Sequence, residues 1–256
     1  YFVTVADDFG FTSGINKGVL EAYKNGFLKE MSLMVNSPGT DEAVKLAKEN
    51  NITSVGLHIT LTNLNNDGIY LRSADYLELL ATKPKEYLID LVKREIDEFI
   101  KLIGRLPSHI NSHQYSDRHE KIYEFVAEFC SANKIPTRNP FHIISGNSGF
   151  NDFNKDFIES TLERFPVFFC DHAESEIPGE LEPVKVGILQ KLSTIKDGES
   201  VEFAFHPGYV DETLIKYTSL QKERERDVKI LTNIEFQNKI EKMDFEIVSY
   251  KELVSV

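Results

Sequence analysis

Two aspartates stand side by side near the start of the chain, where the apolar run of VTVADDFGF, residues 3–11, comes to an end. Because successive side chains of a strand point to opposite faces, Asp7 and Asp8 can meet different partners and have different functions. Other polar or reactive side chains also follow apolar runs: Asn36, His58, His113, Arg138, Asp171, His172 and His206. If those runs are strands of one sheet, carboxylates and imidazoles meet at a single site.

One carboxylate and two imidazoles form a ligand set for a divalent metal ion that leaves positions open for water and substrate. The predicted ligands are Asp8, His58 and His113. Mg²⁺ and Zn²⁺ are the first candidates for the ion, followed by Co²⁺, Ni²⁺ and Fe²⁺. Such an ion would acidify a water molecule and polarise a carbonyl oxygen.

Asp7 and His206 are the predicted proton-transfer groups. Asp7 adjoins a predicted ligand and can take a proton from water as a general base. His206 precedes a Pro-Gly pair that fixes a tight turn, and an imidazole suits a general acid that protonates an amine leaving group. Both have simpler explanations, since an aspartate can cap a helix and a histidine can bond a loop carbonyl. Thr12 and Ser13, however, are better placed as helix caps.

Three further residues are candidates for substrate binding: Arg138, Asn36 and Tyr115. Arg138 follows a predicted strand and could clamp a carboxylate, organise Asp7 through an ion pair, or have a structural role. The other two lie beyond the second and fourth predicted strands. The roles of Asp171 and His172, which follow the sixth, stay open.

Short β-rich runs alternate with segments of helical periodicity, which favours a parallel sheet with right-handed crossovers. The predicted strands are 2–6, 31–35, 54–59, 109–112, 135–138, 167–170, 201–205 and 246–249. The predicted helices are 14–25, 41–49, 84–103, 118–130, 153–164 and 218–242. Two polar stretches rich in Asn and Gly, 61–77 and 141–152, are predicted to be loops over one end of the fold.

About eight such units in 256 residues predict an α/β fold, a (β/α)8 barrel of the TIM type, as a single domain over residues 1–256. Barrel active sites are built at the C-terminal ends of the strands, and four of the seven histidines fall there. The other three, His109, His119 and His142, lie outside this pattern.

Composition limits the classes of partner. The chain is 41% hydrophobic, enough for a sizeable core, and its net charge of −12 without a basic block excludes a typical nucleic-acid-binding protein. Cys130 and Cys170 are too few for a disulfide framework and match no zinc pattern. No apolar run is long enough to span a bilayer and no signal peptide is visible. We therefore expect a cytoplasmic protein with a small-molecule partner, for which a homodimer is a candidate assembly.

Several blocks of the sequence resemble the YdjC-like carbohydrate deacetylases, which include chitooligosaccharide deacetylases. In family order they are ADDFGFTSGINKGVLEAYKNGFLKEMSLMVNSP, VGLHITLT, HINSHQ, IPTR, FAFHPGYVD and KERERDVKILT. The resemblance implies a distorted (β/α) TIM-like barrel, a divalent metal ion, and removal of an acetyl group from an N-acetylated amino sugar. It also implies metal ligation by Asp8, His58 and His113, with Asp7 as base and His206 as the histidine of the His-Pro-Gly block.

The fourth-strand block departs from the family pattern. Asn111 stands where an aspartate is usual, and Tyr115 and Asp117 stand where further histidines are usual. These departures bear on the residues that orient His113, and through them on metal preference and substrate range.

The leading hypothesis is a metal-dependent hydrolase that deacetylates an N-acetylated amino sugar or a chitooligosaccharide-like substrate and releases acetate. One alternative keeps the metal but uses it for an oxidative reaction, because two imidazoles and a carboxylate also serve oxygen-activating iron. Another is a sugar-binding barrel without activity.

Overall fold

The strands form a parallel sheet that curves into part of a barrel. The computed structural model describes residues 1–61, 72–143, 153–175 and 177–255. Within these residues the strands are β1 (Phe2–Phe9), β2 (Glu30–Leu33), β3 (Val55–Ile59), β4 (Ile110–Ser112), β5 (His172–Glu174), β6 (Val201–Phe205) and β7 (Ile247–Val248). Their order is β4-β3-β2-β1-β6-β5, and β7 lies beside the first residues of β1.

Helices pack around this sheet. They are α1 (Ser13–Asn25), α2 (Thr40–Glu49), α3 (Ser73–Thr82), α4 (Lys85–Ile103), α5 (Glu120–Asn133), α6 (Lys155–Arg164), α7 (Leu181–Leu192), α8 (Glu212–Tyr217), α9 (Lys222–Leu231), α10 (Ile234–Glu241) and α11 (Tyr250–Leu253). A 3₁₀ turn, His113–Arg118, follows β4. The alternation of parallel strands and helices confirms the predicted α/β class and the distorted TIM-like barrel. No helix among the described residues is long and apolar enough to cross a membrane.

Several helix predictions need correction. The predicted helix 218–242 is two helices, because the Asn233 side chain accepts a hydrogen bond from the Phe236 backbone N–H and starts α10 anew. Helix α3 begins inside the predicted loop 61–77, of which residues 62–71 lie outside the described residues. Residues 144–152 of the other predicted loop also lie outside them. Helices α7 and α8 were not predicted, whereas Thr12 caps α1 as expected.

The predicted strand 135–138 is wrong as a strand, since Thr137 forms an isolated bridge to Ile110. Pro136 has no N–H to donate to a ladder, which limits pairing here. The Thr137 N–H donates to the carbonyl of Phe168 at 2.9 Å. Individual hydrogen bonds therefore connect the chain on this side of the barrel in place of a regular ladder.

The predicted strand 167–170 is also wrong, and β5 forms two residues beyond it. Asn139 Nδ2 donates to the carbonyl oxygens of Cys170 and Asp171, each at 3.0 Å, so a side chain takes the place of a ladder partner. The irregular arc between β4 and β5 is what distorts the barrel.

The interior of the barrel combines apolar side chains of β1 with buried polar side chains of several strands. Val3 and Val5 of β1 pack with Tyr250, and Asp7 follows on the same face. The strand register pairs Val5 with Glu30, and His58 with Asn111. The buried polar side chains of this inward face are Asp7, Glu30, Ser32, His58, Asn111 and Glu202.

A β-bulge sends the two aspartates in different directions. The pairing of β1 with β2 joins Ala6 to Met31 and Phe9 to Leu33, so β1 carries one extra residue between these pairs. Asp8 has a φ of 65°, a left-handed conformation that is costly for a residue with a side chain. Asp7 therefore keeps to the inward face, and Asp8 turns toward the end of the barrel.

Helix α1 packs against the loop that carries His206, and Gly18 makes this approach possible. A Cβ atom at Gly18 would lie 2.5 Å from the Cα atom of Gly208. We expect Gly18→Ala to destabilise the protein by up to about 2 kcal/mol. The clash costs about 1–3 kcal/mol, which outweighs a gain in helix propensity of about 1 kcal/mol. Chemical denaturation measures the difference, with the exposed Lys17→Ala as the control in the same helix. A Gly18→Ala protein as stable as the control would contradict this packing.

Candidate active site at the barrel mouth

Asp7 is a buried carboxylate held by two donors. Arg138 donates to it from Nη1 at 2.8 Å and from Nη2 at 3.0 Å, and Asn111 Nδ2 donates to its Oδ1 at 2.9 Å. Burial alone would raise the pKa of Asp7, but the charges of Arg138 and His58 and the hydrogen bonds from Arg138 together offset burial and hold that pKa below its usual range. Asp7 is therefore ionised at neutral pH and accepts hydrogen bonds without donating any.

Asp8 faces a different set of partners. Arg224 Nη2 donates to its Oδ2 at 2.7 Å, while its Oδ1 lies 3.4 Å from His58 Nε2 and 3.2 Å from His113 Nδ1. Burial opposes ionisation, yet Arg224 and the two imidazoles hold the pKa of the Asp8 carboxyl well below its ordinary value. One oxygen of Asp8 is thus fixed by an arginine, and the other faces two imidazoles.

His58, at the end of β3, is 2% exposed. Its Nδ1 lies 2.7 Å from Asn111 Oδ1, and its Nε2 faces Asp8. Burial would lower the pKa of His58, but the neighbouring carboxylates of Asp7 and Asp8 raise it. The imidazole is thus held at both nitrogens, in surroundings that favour a positive charge.

His113 is oriented by the 3₁₀ turn that it begins. Ser112 and Asp117 join their side chains across this turn, and the Asp117 N–H donates to Ser112 Oγ at 3.0 Å. The His113 ring packs against the rings of His58 and Tyr76, with centroids 5.6 and 5.7 Å away. Asp117, one of the departures from the family pattern, therefore helps to fix His113.

The predicted metal ligands meet. One ligand atom each from Asp8, His58 and His113 lies within 4.8 Å of the other two. A carboxylate oxygen and two imidazole nitrogens suit Zn²⁺ and other first-row divalent ions. The three residues therefore fit a divalent ion, and within the described part of the chain they form the one cluster with this property.

A cavity of about 730 Å³ opens above these ligands. Its wall includes Asp8 and His113 together with His206. The His206 backbone N–H donates to Asp227 Oδ2 at 2.9 Å, which anchors the loop after β6. Asp7 and His58 do not line the cavity and lie beneath it.

The candidate substrate-binding residues lie elsewhere in the described structure. Arg138 is 5% exposed and binds Asp7 and Glu202. Of the three roles considered for it from the sequence, the structure shows the ion pair with Asp7. Tyr115 packs against His142, with Arg138 near the face of its ring. Asn36 is exposed, and none of these three lines the cavity.

Asp171 and His172 also lie away from the cavity. Asp171 accepts hydrogen bonds from the backbone N–H and the hydroxyl of Ser200, both at 2.8 Å. His172 Nε2 lies 2.9 Å from Glu199 Oε2. These contacts give the two residues structural partners at the start of β6.

Sequence reasoning missed Arg224 and Asp227 of helix α9 as parts of the site. Arg224 is 2% exposed and Asp227 is 5% exposed, although the segment KERERD is among the most charged of the chain. A signal was present, since both residues share a helix face with the buried Val228 and Leu231 at spacings of three and four.

Comparison with known proteins agrees with this arrangement. The model of the YdjC-like protein family matches residues 2–242. A protein of Clostridium beijerinckii named carbohydrate deacetylase is 28% identical over 259 residues, which cover 97% of this chain and 98% of the relative. A carbohydrate deacetylase of Thermoanaerobacter pseudethanolicus is 29% identical and covers 91% of each chain.

A solved structure extends the similarity to the fold. The crystal structure of an Enterococcus faecalis V583 protein, whose name refers to cellobiose-phosphate cleavage, superposes with a TM-score of 0.81. The two proteins are 25% identical, and the similarity covers 98% of each chain. Since the family model matches almost the whole sequence, the chain belongs to the YdjC-like protein family.

Proposed function

We propose that this protein is a metal-dependent carbohydrate deacetylase that hydrolyses the acetamide group of an N-acetylated amino sugar or a chitooligosaccharide-like substrate. The observation that carries this proposal is the meeting of Asp8, His58 and His113 beneath a cavity that His206 also lines. The relatives named carbohydrate deacetylase support the same class of hydrolase. The products are acetate and a free amine.

The site has residues for each part of an amide hydrolysis. Asp8, His58 and His113 would hold a divalent ion, which supplies an acidified water molecule and a polarised carbonyl when it is bound. Arg224 fixes the remaining oxygen of Asp8 and keeps this ligand ionised.

Asp7 accepts the proton that the attacking water loses. Arg138 and Asn111 hold its carboxylate in place, and the low pKa of Asp7 ensures that it is unprotonated at neutral pH. A carboxylate of low pKa is a weak base, so its contribution depends on its fixed position next to Asp8.

His206 donates a proton to the departing amine. It lines the cavity from the loop after β6, which lies on the other side of β1 from β3 and β4, and the Asp227 carboxylate holds its backbone N–H. The base thus comes from β1 and the acid from the loop after β6, so that one group can take the proton of the attacking water and the other can protonate the leaving nitrogen.

The cavity suits a sugar of one or two rings. Its volume of about 730 Å³ lies within the range of small-molecule sites. Apolar side chains such as Phe11, Tyr76 and Tyr217 share the wall with Arg72 and Lys216, so the faces of a sugar ring and its hydroxyl groups both find partners.

Acetate release tests the proposed function directly. Protein stripped with a chelator and reloaded separately with zinc, cobalt, nickel, magnesium or iron should release acetate from N,N′-diacetylchitobiose only after reloading. A phosphorylated form of the disaccharide belongs in the same panel, given the name of the structural neighbour. Absence of acetate from N-acetylated sugars with every metal, despite stoichiometric metal binding, would contradict the proposal and favour a non-catalytic binding barrel. Oxidised product with iron would favour the oxidative alternative.

Asp7→Asn should lower the turnover number by about 10²–10⁴-fold while metal still binds, because the amide is isosteric but cannot take the proton. Turnover and metal content of the purified variant are the measurements. Asp171→Asn is the matched control, since Asp171 follows another strand-like segment and lies outside the cavity. Turnover of Asp7→Asn equal to that of the control would exclude Asp7 as the base.

His206→Gln should lower the turnover number by about 10²–10⁴-fold on amide substrates, because glutamine cannot supply the proton. An ester analogue with a phenolate leaving group needs no such proton and should lose much less activity. His172→Gln, at a surface histidine paired with Glu199, is the control. An equal loss on both substrates would contradict a general acid role.

A further inference from the structure

Asn111 lies at the centre of the site, although it neither lines the cavity nor belongs to the three predicted metal ligands. It belongs to β4, is 1% exposed, and is the neighbour of His58 in the β3–β4 register. Its side chain makes three contacts: Oδ1 with His58 Nδ1 at 2.7 Å, Nδ2 with Asp7 Oδ1 at 2.9 Å, and Nδ2 with Ser32 Oγ at 3.0 Å.

The hydrogen-bond partners fix which way the Asn111 amide points. Asp7 is an ionised carboxylate bound by Arg138, so it can only accept, and the amide must present its NH₂ group there. The second hydrogen of Nδ2 is directed to Ser32. The carbonyl oxygen is then the atom that faces His58, and it can only accept.

This orientation determines the tautomer of His58. Because Asn111 Oδ1 accepts, His58 Nδ1 carries the hydrogen and donates it. The lone pair of the neutral ring is then on Nε2, the nitrogen that lies 3.4 Å from Asp8 Oδ1. To act as a metal ligand, His58 must direct this lone pair toward the space that it shares with Asp8 and His113.

We propose that Asn111 is a positioning residue that presents His58 Nε2 to the metal ion and, through the same amide, holds the base Asp7. The proposal rests on the proposed function in taking Asp8, His58 and His113 as the metal ligands. One neutral side chain couples a ligand to the base, so the two cannot rotate independently.

The residue type is specific to this dual role. An aspartate at this position could accept from His58 but could not donate to Asp7 without first binding a proton. It would instead place a second carboxylate against Asp7 Oδ1, where the Asn111 amide now lies at 2.9 Å. Asparagine accepts on one side and donates on the other.

Two substitutions separate the two roles. Asn111→Leu removes every hydrogen bond of the side chain and should weaken Zn²⁺ binding by about 10–100-fold. Asn111→Asp keeps the acceptor for His58 and should retain Zn²⁺ affinity, yet lower turnover because Asp7 loses a donor. Asn139→Leu is the control, since Asn139 is another buried amide whose Nδ2 donates to backbone carbonyls outside the cavity. Chelator competition gives each affinity.

Nitrogen NMR of the zinc-loaded wild-type protein reads the tautomer without any variant. We expect His58 to be ligated through Nε2 and to carry a slowly exchanging hydrogen on Nδ1. Ligation through Nδ1, or Zn²⁺ affinity of Asn111→Leu equal to that of the control, would overturn the proposal. So would an equal loss of affinity in Asn111→Asp and Asn111→Leu. The Zn²⁺ affinities and the NMR spectrum need no substrate, so failure to release acetate would count against the proposed function alone.

Discussion

The ion pair between Asp7 and Arg138 is the interaction on which the site depends. Both side chains are about 5% exposed, and the guanidinium binds the carboxylate through two nitrogens at 2.8 and 3.0 Å. Removing Arg138 would leave the Asp7 and Glu202 carboxylates without their shared cation in the interior of the barrel, at a cost of about 3–5 kcal/mol. This ion pair therefore joins the C-terminal end of β1 to the irregular arc after β4, in addition to side-chain packing.

Arg138 is shared between two carboxylates. Its Nε donates to Glu202 at 2.6 Å, and the Tyr250 hydroxyl donates to the other oxygen of Glu202. Such a buried network is stable only when its members have partners, and here they come from strands, from the arc at 138 and from helix α11. The network reaches from the base Asp7 to the bottom of the barrel, so the position of Asp7 depends on residues far from the cavity.

The two adjacent aspartates owe their different properties to a single extra residue. The bulge in β1 keeps Asp7 on the inward face, against Arg138 and Asn111, and turns Asp8 toward two imidazoles. The two aspartates bind different arginines, since Arg138 binds Asp7 and Arg224 takes the second oxygen of Asp8. Both remain ionised for that reason, yet they face different groups and can do different chemistry.

The sequence predicted the parts of this structure that depend on local patterns. Strand β6 was predicted at its observed bounds, and Asp8, His58 and His113 were grouped because barrel strands end at one mouth. The arc around 135–138 and 167–170 was not predictable, since its apolar pattern resembles a strand while side-chain hydrogen bonds prevent the ladder. Arg224 was missed because its partner Asp8 is 216 residues away.

Charge balance explains why a neutral side chain at position 111 suits this chain. Asp7 and Glu202 already share the one guanidinium of Arg138, so this part of the interior carries one more negative charge than positive charge. A third carboxylate beside Asp7 would add to the excess in surroundings that screen charge poorly. The Asn111 amide instead directs a partial positive end to Asp7 and a partial negative end to His58. His58 is thus oriented without a further buried charge beside Asp7.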